Sequence, residues 1–228
     1  MTKHLIINAD DFGASPGVNR GIVKCHARGV VTSTSLMVSG PAAREAAALA
    51  ARNPELSVGL HCDLDDLLSG PTPEPAAVSV ELRRQLDAYT DMMGGPPTHV
   101  DSHHHVHREP ELAPLFRELF GGLGVPLRGD GRVHPVGGFY AQWEFGVTEL
   151  RYVSVGFLEE LLVNEVGDGW TELSCHPGYV DRDFDSAYLT EREAELRTLT
   201  DPRIPAALDE LGIRLENYHS FARVSREG

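Results

Sequence analysis

"HLIINADDFGASPGVNRGIVKCHARGVVTSTSLMV", residues 4–38, holds the pattern that decides the fold. An apolar run ending in Asn8-Ala9-Asp10 has the length and composition of a buried strand. Ser15 then caps a helix whose first position is Pro16, and the helix predicted over 15–29 stops at Gly29. The β-branched stretch 30–40 starts a second strand. Strand, helix, strand at this spacing is the unit that joins parallel strands by a right-handed crossover.

The unit repeats along the chain. Strands are predicted over 56–64, 98–106, 125–130, 170–178 and 213–221. Helices are predicted over 41–54, 79–95, 109–124 (kinked at Pro114), 154–169, 190–199 and 202–212. The aperiodic, glycine- and aromatic-rich segment 129–146 reads as a long functional loop. The spacing therefore predicts an α/β fold with about seven parallel strands, either an open sheet or a barrel. Both arrangements place their active site at the C-terminal strand ends.

That rule selects Asn8, Asp10 and Asp11, then His61 and Asp63, then Asp101, His103 and His105, then Arg128, His176 and Asn217. Two adjacent carboxylates after a buried strand repel each other, and a divalent cation relieves that cost; a turn that caps the next helix is the alternative. Strand alternation points Asp10 and Asp11 to opposite sides, so one can bind an ion while the other faces a substrate. Cys62, by the same alternation, faces away from His61 into the packing. In "PTHVDSHHHVH" (97–107), period two puts His99, Asp101, His103, His105 and His107 on one face, with His104 on the other. An ion at the rim is within reach of only one or two of them. His176, before a Pro-Gly turn, suits a general acid or base, or a turn histidine bonding the backbone; Arg128 suits a carboxylate clamp or a rim ion pair. A mixed His/Asp set fits catalytic Zn²⁺, Mn²⁺, Co²⁺ or Mg²⁺ and a metal-assisted hydrolysis.

Composition bounds these readings. At 228 residues with 41% hydrophobic content the chain suits a single domain over 1–228. A net charge of −14 argues against nucleic acid or an anionic membrane as partner and fits a small neutral or cationic substrate. Three cysteines without CxxC spacing read as reduced thiols. With no signal peptide and no long apolar run, a cytoplasmic location is expected.

"LIINADDFG", "VGLHCDL", "PTHVDSHHHVH", "PLRGD" and "LSCHPGY", in this order, resemble the YdjC-type carbohydrate deacetylases, which include chito-oligosaccharide deacetylase. The resemblance implies a distorted (β/α) barrel similar to polysaccharide deacetylases. It also implies metal-dependent removal of acetyl groups from a small N-acetylated sugar or chito-oligosaccharide. Carried over by position, Asp11, His61 and His103 correspond to metal ligands, Asp10 to the catalytic base and His176 to the general acid; in the mechanism this suggests, Arg128 is expected to hold Asp10 ionised. The family's metal is Mg²⁺, with Zn²⁺ and Co²⁺ as rivals given two imidazoles. Phe139, Tyr140, Trp143 and Tyr179 are the aromatic candidates for stacking on sugar rings. A homo-oligomer such as a dimer is compatible with this reading. Two departures stand out: the segment 64–79 is short, and "NYHSF" places His219 where relatives carry arginine. Rival readings are a phosphoesterase or cyclic amidohydrolase, a non-catalytic sugar-binding barrel, and metal storage by the histidine tract.

Overall fold

The computed structural model describes residues 2–182 and 184–227, with side chains as far as Val224. In chain order the elements are β1 (Lys3–Phe12), α1 (Pro16–Arg28), β2 (Ser33–Leu36), α2 (Ala43–Ala50), β3 (Ser57–Cys62), α3 (Asp65–Leu68), α4 (Pro75–Met93) and β4 (Val100–Ser102). A 3₁₀ helix (His103–Arg108) leads to α5 (Ala113–Phe120) and β5 (His134–Val136). They are followed by α6 (Val155–Asn164), β6 (Gly169–Cys175), α7 (Thr190–Leu199), α8 (Arg203–Glu210), β7 (Ile213–Glu216) and α9 (Tyr218–Glu227). The opening unit forms as its sequence predicts: Ser15 Oγ accepts from the Val18 amide at 3.1 Å, and Pro16 begins α1.

Every strand pair is parallel, in the order β4-β3-β2-β1-β6-β5. β6 takes one edge of β1 from Lys3 to Ala9; the other edge is shared, with β7 on Lys3–Ile6 and β2 on Asn8–Phe12. A single sheet that splits in this way is curled. The curl can be checked by distance. In a flat sheet Asp101 on β4 and Glu172 on β6 would be four strand spacings apart, about 19 Å. Instead one guanidinium, Arg128, lies 2.6 Å from the first and 2.8 Å from the second. The fold is the distorted, partly open (β/α) barrel.

Alternation along the strands divides the interior from the wall. Leu5, Ile7 and Ala9 of β1, Val58, Leu60 and Cys62 of β3, and Leu173 and Cys175 of β6 pack outward against the helices in one continuous core. Their neighbours Asn8, Asp10, Ser33, Ser35, His61, Asp101 and Glu172 are buried inside the curl. The barrel axis is thus polar and the layer between strands and helices is apolar. Gly59 shows how tightly the axis is filled: a Cβ there would lie 2.4 Å from the His99 ring, which stacks on Tyr218 with centroids 3.9 Å apart.

Several boundaries differ from the sequence reading. Residues 125–130 form no strand; a lone bridge from Val100 to Leu127 ties them to the β4 edge. β5 lies instead within the segment read as a loop. Pro114 stands in the first turn of α5, where its missing N–H costs nothing, so it starts that helix rather than kinking it. The strand predicted over 213–221 ends at Glu216 and continues as α9. Asn217 faces Glu55 at the lower end of the barrel, and His219 sits on α9. Neither reaches the rim.

Arg128 is 4% exposed and is surrounded by the carboxylates of Asp10, Asp101 and Glu172. Removing the cation would leave three buried acids uncompensated. Arg128→Ala is expected to lower the unfolding free energy by roughly 3–5 kcal/mol, read from the urea midpoint at neutral pH. Glu172→Gln in the same background should recover part of that loss.

Candidate active site

The rim begins where β1 breaks its own regularity. Its register with β2 shifts between Ala9 and Phe12, and Asp11 has φ 68°, a left-handed conformation that a non-glycine residue adopts at a cost. The twist turns Asp11 back toward the axis, so Asp10 and Asp11 both line one cavity. The opposite-sides expectation therefore fails, because it assumed an unbroken strand.

The two carboxylates nevertheless have different partners. Arg128 grips Asp10 with both ends of its fork, Nη1 to Oδ2 and Nη2 to Oδ1 at 2.7 Å each, and Asn8 Nδ2 donates to Oδ1 at 2.8 Å. Burial alone would raise the Asp10 carboxyl; the Arg128 charge and its hydrogen bonds outweigh burial and hold it far below the usual range. Asp11 is likewise buried, and there the Arg192 guanidinium, donating to Oδ2 at 2.6 Å, pulls the carboxyl well down. Its other oxygen, Oδ1, is buried without a hydrogen-bond partner.

His61 comes from β3 as predicted. Nδ1 donates to Asp101 Oδ1 at 2.7 Å, a direction set by the carboxylate, which can only accept. Burial would lower this imidazole, but the Asp101 charge and hydrogen bond raise it well above the ordinary histidine range. Its Nε2 is likewise buried without a hydrogen-bond partner, 3.4 Å from Asp11 Oδ1. His103 sits at the start of the 3₁₀ helix rather than on a strand, because β4 ends at Ser102 and His104 and His105 have φ 52° and 55°. That break scatters the histidines that period two would align. His99 stacks deep in the barrel, and His107 is buried against Ser102 and the Arg128 carbonyl. His103 reaches the cavity beside His61, ring centroids 5.9 Å apart, and its Nδ1 donates to Asp65 Oδ2 at 2.8 Å. Each of these two imidazoles thus has a carboxylate behind Nδ1, a pairing that leaves Nε2 as its forward atom.

The Asp11–His61 pair suits a divalent cation. Asp11 Oδ1 and His61 Nε2 are unpartnered buried atoms that face each other, and His103 stands at the same wall. Two trios among the described residues have ligand spacing, Asp65, His103 and His104 at the rim and the buried Asp10, His61 and Asp101, but in the second Arg128 already supplies the positive charge between the two carboxylates.

His176, at the end of β6, has Nε2 3.9 Å from Asp10 Oδ2. Burial lowers its imidazole to about 4, so the ring is neutral near pH 7. Its backbone N–H donates to Glu195, which also accepts from the Tyr188 hydroxyl at 2.6 Å. Glu195, Arg192 and Tyr188 were absent from the sequence reading. Nothing local marks them: charges at helical spacing in "TEREAELRTL" read as a solvated face, and the burial of Glu191, Arg192 and Glu195 is a tertiary outcome.

The cavity encloses about 730 Å³ and is walled on one side by residues 137–145. Of the four predicted aromatics, Tyr140 and Trp143 line it: Tyr140 lies edge-on to His176 and stacks on Tyr188, and Trp143 is 57% exposed. Phe139 also lines it but is 1% exposed and belongs to the core. Tyr179 points elsewhere, its hydroxyl bonded to Lys24. The sequence reading missed Phe145, 89% exposed at the tip of a tight turn closed by the Val147 amide on the Glu144 carbonyl.

Comparison with known proteins now bears on this geometry. The family model described as "YdjC-like protein" matches residues 4–210. The chain belongs to the YdjC-like family. A carbohydrate deacetylase of Geobacillus stearothermophilus is 36% identical, covering 98% of this chain and all of that one. A crystal structure from Enterococcus faecalis V583, whose name refers to cellobiose-phosphate cleavage, superposes with TM-score 0.82 at 27% identity over 97% of this chain and 99% of that one. The family 4 carbohydrate esterase of Streptomyces lividans, in complex with acetate, shares the barrel at TM-score 0.60 and 14% identity, over 93% and 91% of the two chains. No described helix of this YdjC-like chain is long and apolar enough to cross a membrane.

Glu195 gives the site a pH signature. Burial pushes its carboxyl up to about 8 from an ordinary 4.5, so the folded protein holds that proton more tightly than the unfolded chain. Stability contributed by this group is complete below pH 4.5 and declines as pH rises toward 8. Unfolding free energies measured across that window should fall less steeply in Glu195→Gln than in the wild type.

Proposed function

We propose that the YdjC-like chain hydrolyses the N-acetyl group of a small N-acetylated sugar or chito-oligosaccharide, releasing acetate, with one divalent metal ion. That the chain is a hydrolase of the carbohydrate-deacetylase kind follows from its family and relatives. The metal reading rests on one observation above all: the buried, unpartnered Asp11 Oδ1 and His61 Nε2 meet beside a clamped second carboxylate, at the base of a cavity with an aromatic wall. Asp11, His61 and His103 are the residues that would hold the ion, Zn²⁺ on the softness of two imidazoles or Mg²⁺ by family. When bound, such an ion acidifies water and stabilises an oxyanion.

The chain's own residues manage the proton. Arg128 keeps Asp10 ionised, so Asp10 takes a proton from the attacking water. It is held too far down to keep that proton, and His176, neutral at rest, lies 3.9 Å away to receive it. His176 then protonates the amine as the carbon–nitrogen bond breaks, so one proton moves from water to leaving group and both side chains return to their starting states. Tyr140 and Trp143 supply ring faces for the sugar.

The reading is tested by acetate release from N-acetylglucosamine, its disaccharide and longer oligomers, each with Mg²⁺, Zn²⁺ or Co²⁺ and after chelation. Release that needs a metal supports it; none from any sugar with any metal overturns it. Two variants test the division of roles. His103→Ala should lose metal binding and activity together. Asp10→Asn should keep the metal while turnover falls by about 10²–10⁴, measured by calorimetry and acetate assay on the same preparation.

A further inference from the structure

Helix α7 buries Glu191, Arg192 and Glu195 against the catalytic end of the barrel. Arg192 reaches the bottom of the cavity and is held there from several sides. Nε donates to the Tyr188 carbonyl at 3.0 Å and Nη1 to the His176 carbonyl at 3.4 Å, while the rings of Phe184 and Tyr188 lie 5.4 and 5.8 Å from the guanidinium carbon. The remaining nitrogen, Nη2, takes Asp11 Oδ2 at 2.6 Å. A guanidinium anchored to two main-chain carbonyls cannot swing away, so that oxygen is occupied. Asp11 therefore offers a cation only Oδ1, the oxygen left unpartnered beside His61 Nε2.

Carboxylates bind divalent ions through one oxygen or through both. We propose that Arg192 is a positioning residue that makes Asp11 a one-oxygen ligand, keeping a coordination position free for the reacting oxygen. The inference rests on the metal-dependent reading above. It carries an electrostatic consequence that separates it from a structural role. Asp101 and Asp65 stand behind the two imidazoles as anions, and anions there increase the affinity for a metal ion. Arg192 stands behind Asp11 as a cation, so it draws charge from the ligand and opposes the ion. Its loss should leave metal binding at least as tight as before while slowing turnover, whereas loss of Asp65 should weaken binding.

The test titrates chelator-stripped wild type, Arg192→Met, Arg192→Lys, Asp65→Ala and Asp11→Asn with Zn²⁺ against a chromophoric chelator at pH 8, with acetate release from the N-acetylated disaccharide measured in parallel. Folding of each variant is checked by thermal melting. Arg192→Met is expected to bind Zn²⁺ as tightly as wild type or up to about tenfold more tightly, with kcat lower by about 10–100-fold. Asp65→Ala is expected to bind about 10–100-fold more weakly. A folded Arg192→Met that binds Zn²⁺ more weakly than wild type, or that keeps wild-type kcat, overturns the proposal. If Arg192→Met does not fold, Arg192→Lys decides. It keeps a cation at Asp11 without the planar fork, so affinity within about threefold of wild type with reduced kcat supports the proposal, and any other result overturns it. Failure of the underlying reading looks different: wild type binds no Zn²⁺, or Asp11→Asn binds it as well as wild type.

Discussion

One buried guanidinium organises this molecule. Arg128 lies on the barrel axis with carboxylates from β1, β4 and β6 around it, strands that a flat sheet would hold far apart. Burial of three acids in so small a volume is tolerable only because that cation is present and several lone pairs are filled. Tyr218 donates to Glu172, His61 to Asp101 and Asn8 to Asp10. The acids do not share one state. Arg128 draws Asp10 and Asp101 down, while burial leaves Glu172 above its ordinary value. The same ion network that closes the curl also prepares one of its members, Asp10, for the rim.

The polar axis is inexpensive because the apolar layer lies elsewhere. Strands whose alternate residues meet the helices and whose intervening residues meet each other give the protein a hydrophobic shell around a hydrophilic centre. The shell supplies the burial energy, and the centre is free to be specified by hydrogen bonds. That arrangement explains the glycine at 59, which makes room for the His99 ring, and the run of small polar residues Ser33 and Ser35 along β2.

Charge behind each rim residue differs in sign, and the difference has chemical content. Anions back the two imidazoles, and cations back both aspartates. The imidazoles are thereby oriented and made better donors. The aspartates are kept ionised, Asp10 by the two-pronged fork of Arg128 and Asp11 by a single donor from Arg192. Of the four partners, sequence reasoning named Asp101 and Arg128. It missed Asp65 and Arg192, because a half-exposed acid in a short helix and an arginine in a charged helix look like surface residues.

The sequence by itself determined the strand–helix order, the parallel fold, Ser15 and Pro16 at the start of α1, and the strand ends that carry Asp10, Asp11, His61 and His176. Such features depend on local period and local chemistry, which neighbours in the chain reveal. Tertiary structure decided the rest. It turned Asp11 inward through a left-handed residue, cut β4 short so that His103 left its predicted face, and brought Arg192 across 181 positions to Asp11. It also buried Phe139 in the core and put Phe145 at the cavity mouth. Those outcomes depend on which distant groups share a buried volume, and a buried charge settles only where its counter-charge and hydrogen bonds can be met.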